Sequence, residues 1–227
     1  MSLHAAMGHA QSADALYADR ENPDSARQAE AILRADAARD PGSYEAAWKL
    51  ARISYWLGAH APERERRHFL DQGVAAAMSA ARLQADRPEG HFWAAANMGA
   101  LAENYGMRVG LKYRTPIREH LEVVLRVDPA FMEGSADRAL GRYYAKVPAL
   151  LGGSRTKAEQ HLRASLEYNR FSTISHFFLA ELLLDQRRTV EGRAELQRVL
   201  DAPVSTEWAP EDRDYKRKAS ALLASMR

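Results

Sequence analysis

The sequence contains no cysteine, which excludes disulfide bonds, thiolate catalysis and cysteine-ligated metal sites. It has no apolar run approaching the length that spans a bilayer, so no transmembrane helix is predicted. The sequence also has no large excess of either charge, because it contains 32 Lys and Arg residues and 30 Asp and Glu residues. This balance argues against sequence-independent binding to nucleic acid. The 227 residues, 46% of them hydrophobic, are enough for one domain with a sizeable core.

The N-terminus lacks the charged segment and the apolar segment of an export signal. Two interpretations stay open: a cytoplasmic protein, or a periplasmic domain from which a signal has been removed. We predict that residues 1–12 form a disordered tail and that residues 13–227 form a single domain.

No residues form a recognisable catalytic or metal-binding motif. The histidines are scattered, no HExxH segment occurs, and no two histidines share one helical face at a spacing of four residues. No serine lies in a nucleophile elbow. A glycine pair precedes Ser154, but the spacing of a phosphate-binding loop is missing, so Ser154 is predicted to cap a helix. The sequence therefore predicts a non-enzymatic protein without catalytic residues, cofactor or metal.

A repeat signature is clearest between residues 135 and 166. Leu140 and Gly141 precede Tyr144 in the LG-x2-Y pattern of a tetratricopeptide repeat, and Ala158 lies in the helix that follows a Pro- and Gly-containing turn. The small residues Gly141 and Ala158 would allow the two helices to approach closely. The pattern predicts a pair of antiparallel helices.

The same pattern recurs along the chain when closing prolines are used as anchors. Pro41, Pro88, Pro129 and Arg170 are spaced by 47, 41 and 41 residues, which is longer than the usual repeat of about 34. The residues twelve and eight positions before each anchor are all apolar; they are Ala29, Ala76, Ile117 and Ala158, and Leu33, Ala80, Leu121 and Leu162. We therefore predict that the extra length lies in turns within the pairs, at residues 59–69, 106–115 and 148–153.

These repeats predict an all-α, tetratricopeptide-like solenoid of about five helix pairs with a C-terminal capping helix. The first helices of the later pairs are predicted at residues 43–58, 90–105, 132–147 and 173–187. A shorter pair opens the chain at residues 13–38, and the capping helix covers residues 210–226. An irregular helical bundle is the alternative.

The first helix of each pair lines the concave surface in such a solenoid, which identifies candidate binding residues. Counting from the small positions Ala51, Gly99, Gly141 and Ala180 places one set of side chains in a groove. They are Trp48, Arg52, Tyr55, Trp56, Trp93, Glu103, Asn104, Arg138, Arg142, Lys146, Phe177 and Glu181. Rings would bury the apolar body of an anion, and the cations would bind its carboxylate.

The charges of this groove also have a purely structural interpretation. Glu103 and Glu181 could pair with Arg142 and Arg138 as a ladder between helices, leaving Lys146 as the unpaired cation. Residue spacing does not choose between a binding stripe and a ladder.

Several segments within residues 90–212 together resemble the T component of TRAP transporter systems, a tetratricopeptide-associated family. The segments that carry the resemblance are residues 97–99, residues 102–104, Lys112, residues 117–121, residues 140–144 with Pro148, and residues 152–158. The glycine turn after the proline-containing insertion is their most specific part. The N-terminal third matches weakly, and the lipid-anchored cysteine of that family is missing.

The resemblance implies a periplasmic binding and docking protein, lipid-anchored in its full-length form. It would work beside the periplasmic solute-binding protein of a TRAP transporter, accept a small hydrophobic organic acid in its groove, and associate with itself. The alternative is a tetratricopeptide scaffold, periplasmic or cytoplasmic, that binds an acidic or C-terminal peptide of a protein partner.

Overall fold

The computed structural model describes residues 12–226, so nearly all of the predicted tail at residues 1–12 lies outside the described residues. Within them the chain forms eleven α-helices, one short 3-10 helix and no strand. The α-helices are α1 (Ala13–Ala18), α2 (Pro23–Arg39), α3 (Tyr44–His60), α4 (Glu63–Leu83), α5 (Pro88–Asn104), α6 (Met107–Val127), α7 (Ser135–Lys146), α8 (Arg155–Tyr168), α9 (Thr173–Asp185), α10 (Thr189–Asp201) and α11 (Ala209–Ser225). The 3-10 helix is Ala149–Leu151.

Successive helices pack as pairs, from α1 with α2 to α9 with α10, and α11 covers the last pair. This arrangement confirms the predicted tetratricopeptide-like solenoid of five pairs with a capping helix. Local sequence defines where the helices begin: Ser43, Ser154 and Ser172 each accept a hydrogen bond from a backbone N–H of the first turn. Pro23 and Pro88 stand in first turns, where a missing N–H costs nothing.

Small residues bring neighbouring helices together in the core. Ala51, Ala158 and Ala180 are fully buried at helix contacts, and larger side chains such as Leu121 and Leu162 fill the space beside them. The amide of Asn97, also fully buried, donates to the backbone oxygen of Ala51 at 3.1 Å and so joins α5 to α3. These contacts pack helices within a pair, and the Asn97 bond also holds the first helices of two adjacent pairs side by side.

The extra length of the repeats lies mainly in helices and not in turns, which corrects the prediction. Helices α4 and α6 contain 21 residues each, so residues 63–69 and 107–115 are helical. Only residues 148–153 form the predicted turn, around the 3-10 helix. A solvated helical face is as polar as a turn, and the Glu- and Arg-rich start of α4 is a good helix former. Repeat length alone therefore does not distinguish a longer helix from a longer turn.

The register of α4 also differs from the prediction. Helices α2, α4, α6 and α8 end before Asp40, Gln84, Asp128 and Asn169, which gives spacings of 44, 44 and 41 residues. Pro88 opens α5 instead of closing α4. The position equivalent to Ala29 is therefore Gly73, where an added side chain would collide with Asn97, and the predicted Ala76 lies three residues too far along.

The two ends of the solenoid touch. Arg20, in the turn after α1, is 3% exposed, and its Nε donates to Glu211 Oε1 at 3.1 Å. The Trp56 indole donates to the Arg20 carbonyl at 2.8 Å, and Arg213 pairs with Glu21 next to this contact. We call this contact between the α1–α2 turn and α11 the closure. It completes a ring of helices around a central cavity.

Candidate binding cavity

A cavity of about 1010 Å³ lies inside this ring. The inner faces of α3, α5, α7 and α9 form its wall, together with α11 and the first turns of α6. Its aromatic lining residues are Tyr17, Tyr55, Trp56, Phe92, Trp93, Tyr143, Phe171, Phe178, Trp208 and Tyr215. A large, mainly apolar space with a few polar groups is typical of a ligand-binding site.

Eight of the twelve predicted groove residues line this cavity. They are Tyr55, Trp56, Trp93, Glu103, Asn104, Arg138, Arg142 and Lys146. The predicted geometry of rings beside a cationic stripe on α7 is therefore present. Trp48, Arg52, Phe177 and Glu181 do not line the cavity, which corrects their prediction.

Each of these four side chains has another partner. The Arg52 guanidinium lies 3.7 Å from the centre of the Tyr17 ring and 5.0 Å from the centre of the Trp48 ring. Arg52 and Trp48 therefore help to pack α3 against α1. Phe177 is 9% exposed and packs on the Tyr215 ring at 5.3 Å. The next residue, Phe178, faces the cavity instead, because one residue turns the helical face by about 100°.

Arg142 is held between two acids. Its Nε and Nη2 donate to Glu103 of α5 at 3.0 and 2.9 Å, and its Nη1 donates to Glu181 of α9. Burial alone would lower the pKa of Arg142, but the bonds to Glu103 and the charges of Glu103 and Glu181 outweigh it and raise that pKa. Arg142 is therefore a link between three helices.

Arg138 lies one turn earlier on α7, and its side chain has no acidic partner and no hydrogen bond within residues 12–226. Burial lowers its pKa, and the titratable groups that act on it most are Tyr215, Glu133 and Tyr55. The predicted Arg138–Glu181 pair is thus wrong, because both acids bind Arg142. Lys146 also has no acidic partner in the described part of the chain, but it is exposed.

The sequence prediction missed the contribution of α11. Trp208, Glu211 and Tyr215 line the cavity although this helix was expected only to cap the last pair. Burial raises the pKa of Tyr215, so its hydroxyl stays protonated and can donate to a ligand. No local signal identifies these residues, since they reach the cavity through the curvature of the whole solenoid.

Polar bridges join the two helices of three successive pairs at related positions. His91 and His120 bring their Nδ1 atoms to 2.8 Å, His161 Nδ1 lies 2.7 Å from Asp137 Oδ1, and His176 Nδ1 lies 2.6 Å from Glu195 Oε2. Each histidine is thus in a contact between paired helices. No three metal-ligating side chains group together among residues 12–226, and no helix there is long and apolar enough to cross a membrane.

Fold and cavity together define a tetratricopeptide-like helical-repeat protein with an internal cavity. The chain is similar to a thermophilic tetratricopeptide-repeat protein of Thermus thermophilus, whose crystal structure matches with a TM-score of 0.69 at 22% identity. The match covers 93% of this chain and 95% of that one. Over residues 10–159 the sequence matches the family described as Regulator of microtubule dynamics protein 1-3, and the chain belongs to this family. None of the curated proteins compared with it matches.

These comparisons support the tetratricopeptide-like repeat and do not support the resemblance to the TRAP transporter T component. The predicted solute-binding protein partner, the small organic acid, self-association and the periplasmic, lipid-anchored location stay predictions. A repeat fold of this kind is typical of non-catalytic scaffolds. The alternative prediction, a scaffold that binds a protein partner, therefore fits better.

Proposed function

We propose that this protein is an interaction scaffold whose cavity binds a carboxylate-bearing segment of a partner protein. The observation that carries the proposal is Arg138, a cation inside an aromatic cavity without an acidic partner among residues 12–226. Arg138 is half-buried, and because no acid among residues 12–226 pairs with it, its guanidinium donors remain available to a ligand. A carboxylate in the cavity would supply the missing partner through a bidentate contact.

The rest of the wall suits the apolar part of such a segment. Tyr55, Trp93 and Phe178 present rings to the cavity, and the small residues Gly99 and Ala100 leave open space in it. Rings bury large apolar areas, so a segment with apolar side chains next to its carboxylate would be covered. The carboxylate is that of an acidic side chain or of a chain terminus.

Fluorescence anisotropy with labelled short apolar peptides tests this proposal. Three forms are compared: one with a free C-terminal carboxylate, one amidated, and one amidated with a single internal Glu. The peptides that carry a carboxylate are expected to bind, and Arg138→Ala should weaken that binding by roughly tenfold to a hundredfold, because a hydrogen-bonded charge contact is lost. Arg138→Lys should restore part of the affinity.

Arg118→Ala is the matched control, since Arg118 pairs with Glu122 on α6 outside the cavity and its loss changes the net charge equally. Equal affinity of the amidated and free peptides would contradict the proposal. So would equal effects of Arg138→Ala and Arg118→Ala. Binding of octanoate without binding of any peptide would assign the cavity to small acids instead.

A further inference from the structure

A surface next to the opening of the cavity, sharing some residues with its wall, combines unpaired cations with exposed apolar side chains. It consists of residues 106–118, which include the first turns of α6, and residues 146–157, which include the turn after α7; we call it the rim. Arg114 Nη1 donates to the Leu151 carbonyl at 2.8 Å and joins the two stretches. Met107 and Leu111 of the rim also border the cavity, so the rim surrounds one side of its opening.

The rim is strongly basic in a chain that is nearly neutral overall. Its two stretches contain seven Lys and Arg residues and no Asp or Glu. Five of the cations are exposed and have no acidic partner among the described residues: Arg108, Lys112, Lys146, Arg155 and Lys157. Elsewhere in the chain most exposed arginines lie beside an acid three or four residues away. The rim therefore presents an uncompensated positive field.

The apolar side chains of the rim protrude into solvent. Leu150, in the 3-10 helix, is 100% exposed, Met107 is 78% exposed and Leu111 is 48% exposed. Leu150 lies on a projecting turn and not in a groove. A folded protein partner would need a matching pocket for such a projection, whereas the boundary between lipid headgroups and acyl chains adapts to it.

We propose that the rim binds the surface of an anionic lipid bilayer. Leu150, Met107 and Leu111 enter the boundary between headgroups and acyl chains, and the surrounding cations contact the headgroups. Neither component suffices alone, because a few inserted side chains give weak binding and a few cations act only within a Debye length. This inference does not depend on the occupant of the cavity.

Co-sedimentation of the full chain with vesicles tests the inference. Vesicles of phosphatidylcholine alone are compared with vesicles containing about one third phosphatidylglycerol at low ionic strength. Binding is expected only to the anionic vesicles and should weaken as salt is added. The double variant Met107→Ser and Leu150→Ser should lower the partition coefficient by about tenfold or more, since two inserted apolar side chains are lost. Both side chains are exposed, so the fold should tolerate the change.

Each kind of substitution in the rim has a matched control elsewhere in the same protein. Val190→Ser removes an apolar side chain that is 84% exposed on α10, outside the rim, and should leave vesicle binding unchanged. Arg108→Glu should reduce binding about tenfold, whereas Arg82→Glu on α4, with the same change in net charge, should reduce it much less. Arg138→Ala, which tests the cavity, should not alter vesicle binding.

Three results would overturn the inference. One is the absence of wild-type binding to anionic vesicles. Another is an equal effect of the Met107 and Leu150 substitutions and of Val190→Ser. The third is binding of a polyglutamate peptide that depends on Leu150 and Arg108 while vesicles do not bind, because it would identify an acidic protein as the partner.

Discussion

Two neighbouring helix pairs, α5 with α6 and α7 with α8, follow the same repeat pattern and use its key residues differently. Gly99 and Gly141 occupy equivalent positions by sequence. Gly141 faces α8, where an added Cβ would lie 2.5 Å from Leu162 Cγ, whereas Gly99 faces the cavity with nothing within 4 Å. One glycine permits helix packing, and the other leaves room for a ligand.

The inner faces of the two pairs are complementary. Helix α5 contributes Trp93 and small residues to the wall, while α7 contributes Arg138, Arg142 and Lys146. The polar bridges between paired helices differ too: His91 meets His120 in the first pair, and His161 meets Asp137 in the second. A repeat pattern thus defines which helices pack together but does not decide what each inner face binds.

The largest expected difference concerns the two glycines. Gly141→Leu should destabilise the protein by about 2–3 kcal/mol, because the new side chain collides with Leu162 and with the backbone of Ala158. Gly99→Leu should leave stability nearly unchanged and weaken peptide binding, because the new side chain occupies part of the cavity. Urea unfolding of both variants measures the two changes in the free energy of unfolding. Equal losses of stability would show that the two pairs pack in the same way.

A smaller difference is expected between the two arginines of α7. Arg142→Ala leaves Glu103 and Glu181 without their shared partner and should lower the free energy of unfolding by about 1–2 kcal/mol, a value reduced for their partial exposure. Arg138→Ala removes a cation that bonds to no acid among the described residues, so stability should change little. Thermal and urea unfolding measure the change in stability of each variant. A loss for Arg138→Ala as large as for Arg142→Ala would contradict the assignment.

The smallest expected difference is a dependence on pH. Burial lowers the pKa of His91, and the charge of Arg126 lowers it further. Burial and the charge of His91 lower the pKa of His120 from the ordinary 6.5 to about 4. Below pH 6.5 the unfolded chain therefore binds protons that the folded chain does not, so stability is lost as the pH falls towards 4. The loss should be roughly 1 kcal/mol from neutral to mildly acidic pH.

His120→Gln tests this effect, since an amide keeps a polar contact with His91 but does not titrate. The free energy of unfolding of this variant should depend less on pH than that of the wild type. The matched variant His161→Gln, in the α7–α8 pair, removes the histidine that meets Asp137. An unchanged pH profile for His120→Gln would contradict the role of the His91–His120 contact.

The sequence predicted the helix pairs and their order because apolar periodicity and small residues repeat along the chain. It also predicted the cavity side of α7, where Arg138, Arg142 and Lys146 recur every four residues. The register of α4 was wrong because Pro88 opens a helix, and a proline at a helix start resembles one that closes the helix before. Eight of the twelve predicted groove residues nevertheless lie at the cavity, and their role in binding stays a prediction.

The pairing of charges could not be obtained from spacing. Glu103 and Glu181 are equally placed for either arginine of α7 in a linear pattern, and only the relative positions of α5, α7 and α9 bring both acids to Arg142. The lining residues of α11 were missed for a related reason. They depend on how far the solenoid curves, which is the sum of many small rotations between repeats.

The closure at Arg20 also affects how the molecule unfolds. In an open array each repeat touches only its neighbours, so terminal repeats fray independently. Here the bond between Arg20 and Glu211 joins the α1–α2 turn to α11, although the two residues are 191 positions apart. Joining such distant segments has a large loop-closure entropy, so this contact should form late in folding. Once it has formed, neither end of the solenoid is free, and loosening either end should release both.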